Sequence, residues 1–530
     1  MNTYDNDLPE HHANASKTLF KNPSLTPASS RTTPRVQPQR QGSLTTKERE
    51  RQQPEQSWWN REWQMPALPL AWAREHAKYP DVKNVEVIRP TFGDQSEGAL
   101  NATWLGHASW LISFPTNTSP DGQPTRVLFD PMFSLRAGPT PYTGVRRRLP
   151  APCDVKDLPP FHYVAFSHNH YDHLDLPTLQ SIQDDPRRQD VRYLVPLGIK
   201  ALLTAAPLRI PPSRVFELDW WETLFFPPPP SADNPTSWFS SPSSAPIKTD
   251  RYGSSSVLDA RGAITGSNPD ASDNLEYVGD FGEGEEEFAQ VDKADANRDG
   301  WIKFVCSPAQ HTSGRGVRDS RTTLWSGWIV ETHISSGLPL STPSTSLQDQ
   351  HRSPIPTPTG ETNNRVAVYF AGDTGYMSPS GPCTFFDEIG SKYGPFDLAL
   401  LPIWRGGSLS FVSKFGFRIV EEALPATSLL GSLTAMHATP AHALAMHRAV
   451  RAKHGLAMHF GTFSGSEGET MDALLDLVEA RDGHPRGGGG PEGEEAKVGD
   501  WWEEGGLGWI DIGRTAVFPV GESGGVPKAV

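Results

Sequence analysis

Four side chains able to bind a metal lie within the run Ser167-His168-Asn169-His170-Tyr171-Asp172-His173. Imidazoles and a carboxylate are donors that zinc accepts, and the spacing lets His168 and His170 face one ion while Asp172 and His173 face another. A His-rich surface turn would carry the same letters by accident. Here, however, the run directly follows the apolar stretch Tyr163–Phe166, which places it on a loop at the C-terminal end of a strand. Such a centre needs donors from elsewhere, and the chain supplies them in order. His311 follows Trp301–Cys306, Asp373 follows Val366–Phe370, and His459 ends Leu456-Ala-Met-His459. Singly, a lone His or Asp is more often structural. Each standing at or just beyond an apolar strand, the set points to metal-assisted hydrolysis.

These loops must be held by a sheet, and the sequence predicts one. Strand-like apolar runs occur at Ala102–Leu105, Trp110–Phe114, Val127–Phe129, Tyr163–Phe166, Val191–Val195 and Val215–Leu218. They resume at Trp301–Cys306, Thr322–Val330, Val366–Phe370, Leu398–Ile403 and Leu456–Phe460. Helical stretches are predicted at Leu176–Gln183, Leu197–Leu203, Pro440–Lys453 and Glu469–Arg481, so strands alternate with helices in an α/β core. Residues 1–56 show no hydrophobic period and read as a disordered tail, followed at 57–98 by an arm bearing Trp58, Trp59, Trp63 and Trp72. The folded domain is expected over 99–525, with two long low-complexity inserts at about 226–296 and 335–364 excluded from the fold.

Composition narrows the partners. With 50 Pro and 47 Gly among 530 residues and only 36% hydrophobic content, one large core interrupted by polar segments fits better than several domains. A net charge of -14 gives no support to a nucleic-acid partner, Arg146-Arg147-Arg148 being a local exception that reads first as a solvated loop. Cys153, Cys306 and Cys383 stand far apart, which argues against a disulfide framework and for a reducing compartment. Neither a signal-peptide core nor an apolar run of membrane-spanning length is present, so an intracellular protein that is not secreted is expected. Asp295-Ala-Asn-Arg-Asp299-Gly300 opens like a calcium loop, but its twelfth position is Cys306 where a bidentate Glu is required.

The His168–His173 run with its later His, Asp and His resembles the metallo-β-lactamase superfamily. Within it the chain resembles the N-acyl-phosphatidylethanolamine-hydrolysing phospholipase D family. The matching stretches are Thr103–Ser109, Asp130–Ser134, Ser167–Asp175, Val195–Gly198, Glu217–Glu222, Phe370–Tyr376, Gly394–Ala399 and His459–Phe463. Glu217–Glu222 and Gly394–Ala399 point to the phospholipase group, whereas the histidine run marks only the superfamily. The resemblance implies a four-layer αβ/βα sandwich and two zinc ions. One would be held by His168, His170 and His311, the other by Asp172, His173 and His459, with Asp373 bridging. It implies hydrolysis of N-acyl-phosphatidylethanolamine to phosphatidic acid and N-acylethanolamine. A lactone or thioester hydrolase of the same fold and an inactive scaffold are the alternatives.

Two further residues match positions where the family contacts phosphate. His437 would bind a phosphoryl oxygen or protonate the leaving alcohol, and Tyr142 would donate its phenol. The chain departs from the family at Thr439, usually acidic or amide, at His442, usually Glu, and at Pro141, often Gln. His107 is expected beside the metals or as a buried, bonded histidine. A phospholipid substrate implies peripheral contact with a cytoplasmic or organelle membrane, through Trp58–Trp72 and Arg146–Arg148, and is compatible with a homodimer.

Overall fold

The computed structural model describes residues 11–14, 16–22, 82–93, 98–115, 124–227, 246–251, 255–258, 264–265, 301–316, 318–333, 365–378, 381–403, 436–463, 467–482, 502–503, 505–520 and 527–530. The expected Trp58–Trp72 arm and the insert at 335–364 lie outside them. In chain order the first strands are β1 (Ala99–Gly106), β2 (Ser109–Phe114), β3 (Thr125–Phe129), β4 (Arg136–Ala137), β5 (Val145–Arg146), β6 (Tyr163–Ala165), β7 (Arg192–Pro196), β8 (Val215–Leu218) and β9 (Thr223–Phe226). There follow β10 (Ile247–Thr249), β11 (Ser255–Leu258), β12 (Ile264–Thr265), β13 (Ile302–Ser307), β14 (Gly327–His333) and β15 (Arg365–Phe370). The last are β16 (Met377–Ser378), β17 (Gly381–Pro382), β18 (Phe396–Pro402), β19 (Ala452–Met458), β20 (Leu507–Gly508), β21 (Thr515–Pro519) and β22 (Lys528–Ala529).

Two sheets face each other. One has the order β22-β21-β1-β2-β3-β6-β7-β8 and the other β12-β11-β10-β9-β13-β14-β15-β18-β19-β20. The alternation of side chains along a strand distributes the apolar residues between two layers. Trp110, Ile112 and Phe114 of β2, Val127 and Phe129 of β3 and Tyr163 of β6 enter the core between the sheets. Leu111, Leu128 and Val164, their alternates, pack outward under α1 (Leu176–Gln183) and α2 (Lys200–Thr204) with Leu179, Ile182 and Leu203. Across the middle, Phe129 stacks on Phe370 with ring centroids 4.6 Å apart, and Tyr163 meets Phe226 and Phe304 at 5.0 Å. The outer face of the second sheet is covered by α3 (Phe385–Tyr393), α4 (Pro440–Ala449) and α5 (Glu467–Asp482), with α4 against β18, β19, α3 and α5. Helix on sheet on sheet on helix is the expected four-layer sandwich.

Three expectations change. The tail expected to be without structure over 1–56 contributes a packed segment, because His11, His12 and Phe20 are buried and Phe20 joins the inter-sheet core. The first insert is not wholly outside the fold, since β10, β11 and β12 extend the second sheet from β9. Their two to four residues are too short and too rich in Ser, Thr and Lys to show a hydrophobic period. The three arginines are not one solvated run: Arg147 is buried while its neighbours are exposed. Arg147 stands just past β5, where the chain turns back onto the sandwich. Here Arg147 donates from Nη1 to Met132 O at 2.8 Å and from Nε to Leu149 O at 3.2 Å.

Candidate metal centre

The chemistry-bearing residues meet at one rim of the sandwich, on turns that follow strand ends. β6 leads into the 167–173 loop, β13 into His311, β15 into Asp373 and β19 into His459. The 167–173 loop is fixed from both sheets. Ser326 N donates to Ser167 O at 2.9 Å and Trp328 Nε1 donates to Phe166 O at 2.8 Å, so the second sheet sets where the first sheet's ligands begin. Asp373 enters through Gly372, at φ +59, where a Cβ would stand 2.6 Å from the Ser167 Cβ. No larger residue fits between the two loops. His107, Asp130 and His459 also adopt positive φ, at 52, 37 and 62 degrees. Such backbone is uncommon outside glycine and is held here by the surrounding packing, as is typical of functional loops.

Two donor groups form around Asp373. In the first, His168 Nε2 lies 2.8 Å from His170 Nδ1, and His311 Nε2 lies 3.3 Å from the same atom. In the second, His173 Nε2 and His459 Nε2 stand 3.1 and 3.0 Å from Asp373 Oδ2, with Asp172 Oδ2 3.8 and 4.0 Å from the two imidazoles. Asp373 Oδ2 also reaches to 3.7 Å from His311 Nε2, so one carboxylate lies between both groups.

The far sides of the rings fix their tautomers. Ser167 Oγ donates to Asp130 Oδ2 at 2.5 Å, so the Ser167 Oγ lone pairs are left to accept from His168 Nδ1 at 2.8 Å. His311 Nδ1 donates to Met436 O at 3.0 Å and His173 Nδ1 to Asp130 Oδ2 at 2.7 Å. In the His168 and His311 rings the proton is thus on Nδ1 and Nε2 presents a lone pair to the centre, the arrangement a metal ligand requires, while Asp130 turns the His173 ring so that its Nε2 faces the same point. Buried His173 Nε2 and His459 Nε2 make no hydrogen bond despite their short separations from Asp373 Oδ2, and the buried Asp373 Oδ1 makes none either. Lone pairs brought together without hydrogens between them fit cations at their common focus, and the donor set fits zinc.

The electrostatics agree. Burial, reinforced by the imidazoles of His173, His170 and His311, holds His168 well below the ordinary imidazole range. Burial likewise brings His170 down to about 4 and His311 well below its usual value. Burial opposes ionisation of Asp373 and Asp172, but His173 overrides it and both remain well below the normal carboxylate range. His173 is buried too, yet Asp373 and then Asp172 hold it well above the ordinary imidazole range. Neutral imidazoles at His168, His170 and His311 beside ionised carboxylates make a site that attracts a divalent cation, on whose binding the His173 proton would be released.

Other expected residues are placed as follows. His437 stands over the centre, Nε2 3.4 Å from Asp373 Oδ2 and its ring 5.0 Å from that of His311. His107 is buried, with Nε2 3.0 Å from Asp172 Oδ2 and its ring 4.1 Å from that of His459. Burial, then the neighbouring His459, pushes it down to about 3. Tyr142 is not gathered in: it is 88% exposed on the turn between β4 and β5. The family departures at Thr439 and His442 serve the start of α4, where Thr439 Oγ1 accepts from His442 N at 3.2 Å. The residue not singled out from sequence is Asp130, whose oxygens accept from Ser167 N, Ser167 Oγ and His173 Nδ1. Its signal was present, an acid directly after an apolar strand, the pattern that marks Asp373.

Comparison with known proteins gives the following. A family model described as a beta-lactamase superfamily domain matches residues 125–296 and 351–460. The chain is 26% identical over 392 residues to N-acyl-phosphatidylethanolamine-hydrolyzing phospholipase D 1 of Caenorhabditis elegans, covering 73% of this chain and 72% of that protein. It is 33% identical over 145 residues to the mitochondrial N-acyl-phosphatidylethanolamine-hydrolyzing phospholipase D of Saccharomyces cerevisiae, covering 26% of this chain and 27% of that one. Among solved structures, the metallo hydrolase Igni18 of Ignicoccus hospitalis aligns with a TM-score of 0.34 at 14% identity, over 79% of this chain and 98% of that one.

Proposed function

The chain belongs to the beta-lactamase superfamily, and from that premise we propose that it is a dizinc phosphodiesterase that hydrolyses N-acyl-phosphatidylethanolamine. The carrying observation is the pair of histidine groups joined across Asp373, taken with the likeness to the worm phospholipase. Two divalent ions bound there would supply the positive charge that activates water and neutralises a phosphodiester. His168, His170 and His311 would hold one, and Asp172, His173 and His459 the other. Water adds its oxygen to phosphorus and gives up a proton, the bond from phosphorus to the N-acylethanolamine oxygen breaks, and that oxygen takes up a proton, so that no net proton is consumed. His437 would deliver the proton to the leaving oxygen and be reprotonated from the water's. The products are phosphatidic acid and N-acylethanolamine. The test is an assay of purified protein on lipid phosphodiester, lactone and RNA, with and without a chelator. Chelator-sensitive release of N-acylethanolamine is expected, and turnover of the lactone alone would overturn the lipid assignment.

His437→Ala should lower turnover about 100-fold, the size of a lost general acid, while metal content stays near that of the wild type. Elemental analysis beside the kinetics checks both halves. Loss of an ion in this variant would make His437 a ligand instead.

A lipid substrate calls for contact with a bilayer, and among the described residues no helix is long and apolar enough to cross one. The β4–β5 ribbon suits peripheral contact. Leu135, Tyr142 and Val145 are 57%, 88% and 51% exposed there, beside exposed Arg146 and Arg148. Its base is tied to the centre, since Arg148 N donates to Thr462 O and Thr462 Oγ1 accepts from His107 N at 2.7 Å. Arg147, being buried, drops out of the charge expected at the membrane. Leu135→Ser with Val145→Ser should weaken binding to anionic vesicles about tenfold, from the apolar surface no longer buried. Co-sedimentation measures it, and unchanged binding would place the contact elsewhere.

A further inference from the structure

The segment formed by residues 11–14 and 16–22 is folded back on itself and clamped to the sandwich. Asn14 Oδ1 accepts from Thr18 N and Leu19 N at 2.9 and 3.0 Å, closing a turn, and Lys21 N donates to His11 O at 2.9 Å. Two successive histidines then grip one carboxylate: His11 Nε2 is 2.5 Å from Asp219 Oδ1 and His12 Nε2 is 2.7 Å from Oδ2. Asp219 is itself held, accepting from Trp220 N at 2.8 Å, and the His11 ring lies 4.3 Å from that of Trp220. Phe20, 1% exposed, anchors the second arm, and its amide donates to Arg321 O at 3.0 Å. At these separations the histidines bond directly to the carboxylate, and the cluster clasps the segment to the sandwich.

What the clasp delivers is Asn22. Its Oδ1 accepts from His311 N at 2.9 Å, and His311 Nδ1 is bonded on its other side to Met436 O at 3.0 Å. His311 follows β13 in a short connection, and its neighbour Gln310 N donates to Thr374 Oγ1 at 2.9 Å. One candidate ligand is therefore held at its backbone by a side chain 289 residues away in sequence. We propose that this N-terminal strap, clasped by His11 and His12 on Asp219, completes the metal centre, with Asn22 as a positioning residue that fixes His311. The inference rests on the metal-centre reading above. Outer contacts that fix a ligand's orientation contribute to affinity without touching the ion, because a ligand free to rotate must be ordered when the ion binds.

The experiment is zinc titration against a competing chelator, followed by trypsin digestion read by mass. Asn22→Ala should bind one of two zinc ions about tenfold more weakly, within the range for lost outer contacts. Asn22→Asp, which keeps an acceptor oxygen, should hold both ions as the wild type does. His11→Ala with His12→Ala should weaken the same ion, and the strap should then be cut after Lys17 and Lys21 faster than in the wild type. Equal affinity in Asn22→Ala, or a strap equally resistant once both histidines are removed, overturns the proposal. A wild-type chain that binds no zinc fails the metal-centre reading instead, so the two failures are distinct.

Discussion

Asp373→Asn should reduce turnover roughly 1000-fold or more while leaving the fold intact, the largest effect expected from one substitution in this chain. The carboxylate is 3% exposed and faces His173, His459, His437 and His311 within 3.0 to 3.7 Å. An amide of the same shape removes the negative charge that would hold two cations together, and its N–H can hydrogen-bond to imidazole lone pairs that would otherwise face an ion. Steady-state kinetics with elemental analysis should show activity and metal content falling together. A variant that keeps two ions and near-normal turnover would remove Asp373 from the bridge.

The second large effect is on stability. Asp130 is fully buried and takes three hydrogen bonds, from Ser167 N, Ser167 Oγ and His173 Nδ1. Asp130→Ala leaves these donors in the interior with nothing to accept them, at about 1–3 kcal/mol for each left unpaired. Allowing for water entering the gap, the metal-free protein should lose about 3–5 kcal/mol, as when a buried pair is broken. Urea unfolding of the metal-free chain reads this directly. In the loaded protein the same change should weaken metal binding by about 10–100-fold, because His173 loses the bond that sets its tautomer. Unfolding within about 0.5 kcal/mol of the wild type would show that the relay holds nothing.

The site was legible in the sequence to the extent that its residues follow strands. His168, His170, Asp172, His173, His311, Asp373 and His459 could each be placed because an uninterrupted apolar run precedes it, and such runs survive without any knowledge of pairing. Asn22 and the histidine clasp carried no such mark. Their meaning depends on contact with Asp219 and His311, about 200 to 290 residues away. Tyr142 shows the converse, a residue that matched by local letters but lies in solvent. For Arg147 the run of like charge concealed the carbonyls of Met132 and Leu149 that hold its middle member inside. Strands β10 to β12 were unreadable because strands of two to four residues hold too few apolar positions to give a period.

The pairing of β1 with β21 bears on how the chain is made. Residues Ala99–Thr103 take their outer partner from Thr515–Pro519, while β2 lies on the other side. During synthesis β1, β2 and β3 emerge together, but β1 then waits with one row of backbone groups open until residue 515 has been translated. At about 5–20 residues per second the interval is roughly 20–80 s. Throughout it the ribosome carries an apolar strand edge of the kind that recruits other chains. Closure of the first sheet is therefore a late event in the chain's elongation.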